Sequence, residues 1–158
     1  MVVRVVAVGR LRHAGLRDLC DEYRRRAERG LRIEVREVAE AGRRGGTPAE
    51  ARRLEAERLR AAVPAGTRLV ALTRAGRALA SDDFAALVGR WREEARDVAL
   101  LLGGAFGLDA GLLARAELRL SLSPFTLPHE LARVVLMEQL YRAVSILRGD
   151  PYHKGAAP

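Results

Sequence analysis

The chain has 158 residues, 49% hydrophobic and 30% charged, a length that makes one domain able to bury roughly 70% of its unfolded surface. No apolar run approaches the roughly 18 residues a bilayer span needs, and the start lacks the basic and small-residue pattern of a secretory signal, so a cytoplasmic, non-membrane protein is expected. Cys20 is the only cysteine, which excludes an intrachain disulfide and a cysteine-clustered metal site.

Net charge is +8 and unevenly spread: residues 1–68 hold 17 Arg against 10 acidic residues, the rest 11 Arg or Lys against 10. A basic field confined to the first half attracts phosphate backbones. A polyanionic partner is therefore expected there.

Val2 to Val8 is a short β-branched run ending at Gly9, which suits a buried strand. Ala14 to Arg29 carries apolar residues at helical spacing, with Cys20 in register with Leu16, Leu19 and Tyr23; it is expected to be a core thiol. Leu31 to Val38 sets Leu31, Ile33, Val35 and Val38 against charges, the pattern of a strand near a sheet edge. The basic loop Gly42, Arg43, Arg44, Gly45, Gly46 follows, expected from its glycines to be mobile and read either as a plain connection or as a clamp on RNA phosphates. Thr47 with Glu50, and Pro48 between them, spell a capping box, so a helix should run to about Ala62.

Thr67 to Thr73 is expected to be a third strand, and Ser81, Asp82 and Asp83 to open a helix through about Arg96. Val98 to Leu102 is continuously apolar and bounded by Gly103, which predicts a central parallel strand covered on both faces. Leu108 to Ala116 reads as a short helix, Leu118 to Ser123 as a fifth strand and His129 to Arg148 as the last helix. Strand and helix alternate five times, which predicts an α/β fold: one domain, a mostly parallel five-stranded sheet and helices on both faces. Residues 155–158 read as a disordered tail. The last helix is apolar on nearly every side, so one face needs a second cover, most simply a second copy of the chain, the rival being a helix sandwiched within its own chain.

In open α/β sheets ligands sit beyond the carboxyl ends of the strands. Three unusual loops leave those ends: "LTRAG", "GGAFG" and "SPFTLPH". Gly103 and Gly104 permit close approach to the backbone, although the spacing to Gly107 is not that of the dinucleotide or Walker fingerprints. Pro124 and Pro128 disfavour helix at Ser123 and Leu127. The loop is expected to stay extended and to offer main-chain donors and acceptors to a flat heterocycle.

"LLLGGAFGLD", "LSLSPFTLPHELARVVLMEQLYRA", the terminal "PYHK" and the opening "VAVGRLR" closely resemble the SPOUT-class methyltransferases that methylate ring nitrogen 3 of a pseudouridine in large-subunit (23S) ribosomal RNA. The likeness runs from Met1 to Lys154. It implies a homodimer with a C-terminal trefoil knot, acting on the assembled ribosome without a metal. S-adenosylmethionine is implied in the knot, at Leu72, at Gly103 and Gly104, and at Leu122, Ser123, Pro124, Phe125, Thr126 and Leu127. For the chemistry, His153 is the first candidate for base or orienter, with Tyr152 beside it, while Arg142 would stabilise the developing imidate. Many members carry Pro-Glu where this chain has Ala105 and Phe106, so no carboxylate role is assigned there. A SPOUT enzyme for another RNA such as tRNA, a non-catalytic RNA-binding module and an ordinary doubly wound nucleotide-binding protein remain as alternatives.

Overall fold

The computed structural model describes residues 1–41 and 46–151. In chain order these form β1 (Val2–Val8), α1 (Ala14–Ala27), β2 (Arg32–Val38), α2 (Pro48–Ala61), β3 (Arg68–Ala78), α3 (Ser81–Glu93), β4 (Val98–Leu102), α4 (Ala110–Arg115), β5 (Leu118–Ser121) and α5 (His129–Arg148). The strands make one sheet in the order β2-β1-β4-β3-β5, with every neighbouring pair parallel. β4 holds the centre, and all five of its residues are buried, as an unbroken apolar run requires. β2 lies at an edge; Leu31 and Ile33 are buried, but Val35 is 37% exposed, because an edge strand has a neighbour on one side only.

Strand periodicity sorts the core into two layers. Val3, Val5 and Ala7 of β1, with Val98, Leu100 and Leu102 of β4, face α1, α3 and α5. Val6, Val8, Ala99 and Leu101 point the other way, onto Ala56 and Leu59 of α2 and Leu112 of α4. Helices thus cover both faces, as the alternation of elements predicts. α5 packs beside both α1 and α3, so much of its apolar surface is covered within the chain. Leu131 and Leu147 remain exposed.

Cys20 is 6% exposed, and burial pushes its thiol up to about 11. A thiol reacts as its thiolate, so the native protein should resist Ellman's reagent at pH 8 and react fully once denatured. Rapid labelling of the folded chain would contradict this placement.

The capping box forms as its residues predict: Glu50 N–H donates to Thr47 Oγ1 at 3.2 Å, and Thr47 N–H to Glu50 Oε2 at 2.7 Å. Other boundaries differ from expectation. α1 stops at Ala27 and α3 at Glu93, and Ala80 rather than Ser81 occupies the N-cap of α3; the Ser81 hydroxyl instead donates to Gln139 Oε1 at 2.9 Å. β5 ends at Ser121, and β3 continues past Thr73 to Ala78. Leu120 is paired with both Leu72 and Arg77, so residues 73–76 bulge out of the ladder. A Cβ on Gly76 would lie 2.5 Å from the Leu120 carbonyl carbon. Glycine lets the two backbones close after the bulge.

A charged residue of α5 lies deep in the core. Arg133 of α5 is 2% exposed; its Nη2 donates to the carbonyls of Val8 at 2.5 Å and Gly9 at 2.6 Å, and its Nη1 to Glu37 Oε1 at 2.8 Å. Nearby, Glu130 Oε2 accepts the N–H groups of Arg12 and His13, which hold its carboxyl below the usual range, the His13 bond contributing most. The start of α5 is thereby fastened to the turn after β1.

Candidate functional site

The carboxyl ends of β3, β4 and β5 open into one cavity of about 720 Å³. Leu72 and residues 73–75 of the bulge form one wall, and Leu102 to Ala105, with Gly107 and Leu108, form the second. The third comes from Ser121 to Ser123, Phe125 to Leu127 and the start of α5 at His129 and Ala132. The three loops singled out by their sequence therefore meet at one place. Of the nine residues proposed there, Leu72, Gly103, Gly104, Leu122, Ser123, Phe125, Thr126 and Leu127 line the cavity; Pro124 does not.

Local chemistry explains the walls. Gly107 has φ of 76° and donates its N–H to the Gly104 carbonyl at 3.1 Å, so the loop turns back on itself. A Cβ on Gly103 would sit 2.5 Å from the Gly107 carbonyl carbon. The first glycine serves the packing of the turn, and the last its left-handed geometry. In the third wall the Ser121 hydroxyl donates to the Ser123 carbonyl at 2.9 Å, and the Phe125 N–H to Ser123 Oγ at 3.0 Å. These bonds brace a non-helical loop between its prolines. The Phe125 ring is 80% exposed. Arg74 reaches across the cavity to Thr126 Oγ1 at 3.3 Å, joining the first and third walls.

The expected chemical residues are placed elsewhere or fall outside the described chain. Arg142 is not part of the cavity wall; its Nη2 lies 2.6 Å from Glu138 Oε1 one turn back on α5. It stands 13 residues beyond His129, about 20 Å along the helix at 1.5 Å per residue. Tyr152, His153 and residues 155–158 lie outside the described residues, as do Gly42 to Gly45 of the glycine-arginine loop. His13 caps α1, its Nδ1 accepting from the Leu16 N–H at 3.4 Å. Among the described residues no group of three His, Cys, Asp or Glu side chains is placed to hold a metal ion.

The family described as "Predicted SPOUT methyltransferase" matches residues 1–153. The chain belongs to the SPOUT methyltransferases. Two curated relatives from Anaeromyxobacter dehalogenans, strains 2CP-C and 2CP-1, are 52% and 53% identical over 154 residues. A third, from Gemmatimonas aurantiaca, is 47% identical over the same span. Each alignment covers 98% of this chain and 100% of the relative, and all three relatives are named "Ribosomal RNA large subunit methyltransferase H". Among solved structures, a probable methyltransferase from Bordetella pertussis Tohama I aligns with TM-score 0.55 at 21% identity, covering 90% of this chain and 93% of that one. A probable methylase family protein from Haemophilus influenzae aligns with TM-score 0.53 at 14% identity, covering 96% and 70%. At those identities the structures speak for the fold alone.

Membership makes this SPOUT chain a methyltransferase, and its reaction calls for a methyl donor. Three residues that pattern reading passed over contribute to the region. Arg74 ties two walls together, Arg133 anchors α5, and Glu55 of α2 sits beneath Gly104. The last two carried a legible signal, each being a charge inside an otherwise apolar helical stripe.

Proposed function

We propose that the chain methylates ring nitrogen 3 of a pseudouridine in large-subunit ribosomal RNA on the assembled ribosome, with S-adenosylmethionine as donor. The observation that carries this reading is the convergence of the three loops on one cavity. Its volume falls within the roughly 300–1,000 Å³ of small-molecule sites. The RNA class follows from the names of relatives about half identical over their full length, and the nitrogen 3 preference from the motif resemblance.

The residues present suit that donor. Main-chain groups from Leu122 to Leu127 would read the flat heterocycle, Gly103 and Gly104 would allow close contact, and Leu72 would supply apolar wall. When bound, the donor supplies a methyl group activated by a sulfonium. The protein's remaining tasks are alignment of the target and removal of the imide proton. His153 is proposed to hold or accept that proton with Tyr152 beside it, and Arg142 to stabilise the resulting imidate by a charge-assisted bond. At about 20 Å along α5 from His129, Arg142 would meet the cavity of a second copy rather than its own. A C-terminal trefoil knot and a homodimer are part of the same reading, the homodimer supported by exposed Leu131, Phe125 and Phe106. One catalytic domain spanning 1–158, a basic first half for the RNA and a cytoplasmic location complete it.

The test is methyl transfer to ribosomes carrying the pseudouridine, read by mass spectrometry of the RNA fragment. One added methyl on that nucleotide is expected, with little transfer to a uridine control. Equal transfer to uridine would defeat the specificity; transfer to tRNA alone would move the enzyme to another substrate. His153→Ala should slow transfer while leaving donor affinity unchanged, and an affinity-only defect would remove His153 from the chemistry.

A further inference from the structure

Glu55 is a buried acid with a partner, among the described residues, for only one of its two carboxylate oxygens. It is 4% exposed on the core face of α2, beside Ala56 and Leu59. Oε1 accepts the Ala41 N–H at 3.0 Å, but Oε2 has no hydrogen-bond partner among the described residues. Keeping a buried carboxylate oxygen unmet is costly, which directs attention to what could donate to it.

Glu55 lines a second, smaller cavity of about 260 Å³. Its ionic balance favours a cation. Glu40, Glu55 and Glu130 contribute carboxylates and Arg12 a single guanidinium, which is within 3.8 Å of Glu40. Glu130 is already occupied by the Arg12 and His13 N–H groups. Glu55 Oε2 is left as the acceptor in surplus. A phosphate would be repelled, and among the described residues no three ligating side chains are placed for a metal ion. A primary ammonium, small and with three N–H donors, matches.

This pocket adjoins the larger one. Ala105 and His129 line both, and a Cβ built on Gly104 would point to within 3.1 Å of Glu55 Oε2. Among the described residues lining the large cavity, Arg74 is the only Arg, Lys, Asp or Glu. It could meet a carboxylate, but no acidic side chain among those lining residues could meet an ammonium. We propose that Glu55, through the pocket beside Gly104, receives the α-ammonium at the amino-acid end of the methyl donor. The inference rests on the large cavity being the donor site.

Calorimetric titration with three probes tests both. S-adenosylhomocysteine carries the ammonium, its deaminated analogue lacks only that group, and 5′-methylthioadenosine lacks the whole amino-acid end. Wild-type protein should bind the deaminated analogue at least about tenfold more weakly than S-adenosylhomocysteine. Glu55→Gln should weaken S-adenosylhomocysteine by a similar factor and leave 5′-methylthioadenosine unchanged. The wild-type comparison stands even where the variant folds poorly. Equal wild-type affinity for the first two probes, or a Glu55→Gln defect of the same size on all three, would overturn the role of Glu55 while leaving the donor cavity in place. Failure of the wild type to bind any of them would overturn the cavity reading, and this inference with it.

Discussion

Gly103→Ala is expected to reduce methyl transfer at least about 100-fold, the scale of loss that accompanies a displacement of about 1 Å in a positioned site, with the sheet left intact. The new methyl would meet the Gly107 carbonyl carbon at 2.5 Å, its oxygen at 2.7 Å and the Leu108 nitrogen at 2.9 Å. All three are backbone atoms, so no side chain can swing aside; the turn itself must open. That turn carries Gly104, which lines the large cavity and lies over Glu55. β4 ends one residue earlier and keeps its ladders to β1 and β3, so far-ultraviolet circular dichroism should be unchanged. Gly107→Ala makes a useful comparison: a Cβ there meets nothing within 4 Å, and the expected cost is only the roughly 1–2 kcal/mol of left-handed strain. Single-turnover transfer and donor titration on both variants are the measurements. Near-normal transfer by Gly103→Ala would take the paired-glycine turn out of the site.

Arg133→Met should destabilise the fold by about 3 kcal/mol in urea unfolding, the lower end of the range for breaking a buried ionic contact. Methionine preserves much of the length and none of the hydrogen bonding. The buried carbonyls of Val8 and Gly9 lose their shared donor, while Glu37, about a third exposed, can recover water. That partial recovery is why the lower end applies. The same change loosens the start of α5, where His129 and Ala132 wall the large cavity, so donor affinity should fall alongside stability. A variant within about 1 kcal/mol of wild type would mean that the guanidinium costs nearly as much to bury as its contacts return.

The layered architecture was legible because its signals are local and redundant. Val98 to Leu102 has no polar residue to expose, and Thr47, Pro48 and Glu50 satisfy one another within a single turn. The three loops that line the large cavity could be located because parallel strands end on one side, and glycines and prolines mark where they end. The extension of β3 was not legible, since its second half pairs with Leu120, a residue already bonded to Leu72. No period within the strand announces one partner used twice. Pro124 shapes its loop without lining the cavity, which separates a residue that stiffens a wall from those that form it. Arg133 and Glu55 were overlooked because helical pattern reading counts apolar positions and discards charges on the same stripe. Their partners, carbonyls at the end of β1 and the amide of Ala41, are contacts that only the folded chain brings near.

The placement of α5 bears on how the protein is made. Val134, Leu136, Met137, Leu140, Ala143 and Val144 close one side of a sheet whose central strands are translated much earlier. A nascent chain that has emerged only to β4 holds Val3, Val5, Val98 and Leu100 without this lid, an apolar surface of the kind that draws chaperones or neighbouring chains. Synthesis stalled between β4 and α5 therefore leaves the chain at its most aggregation-prone, and release of the final helix from the exit tunnel is the event that ends the hazard.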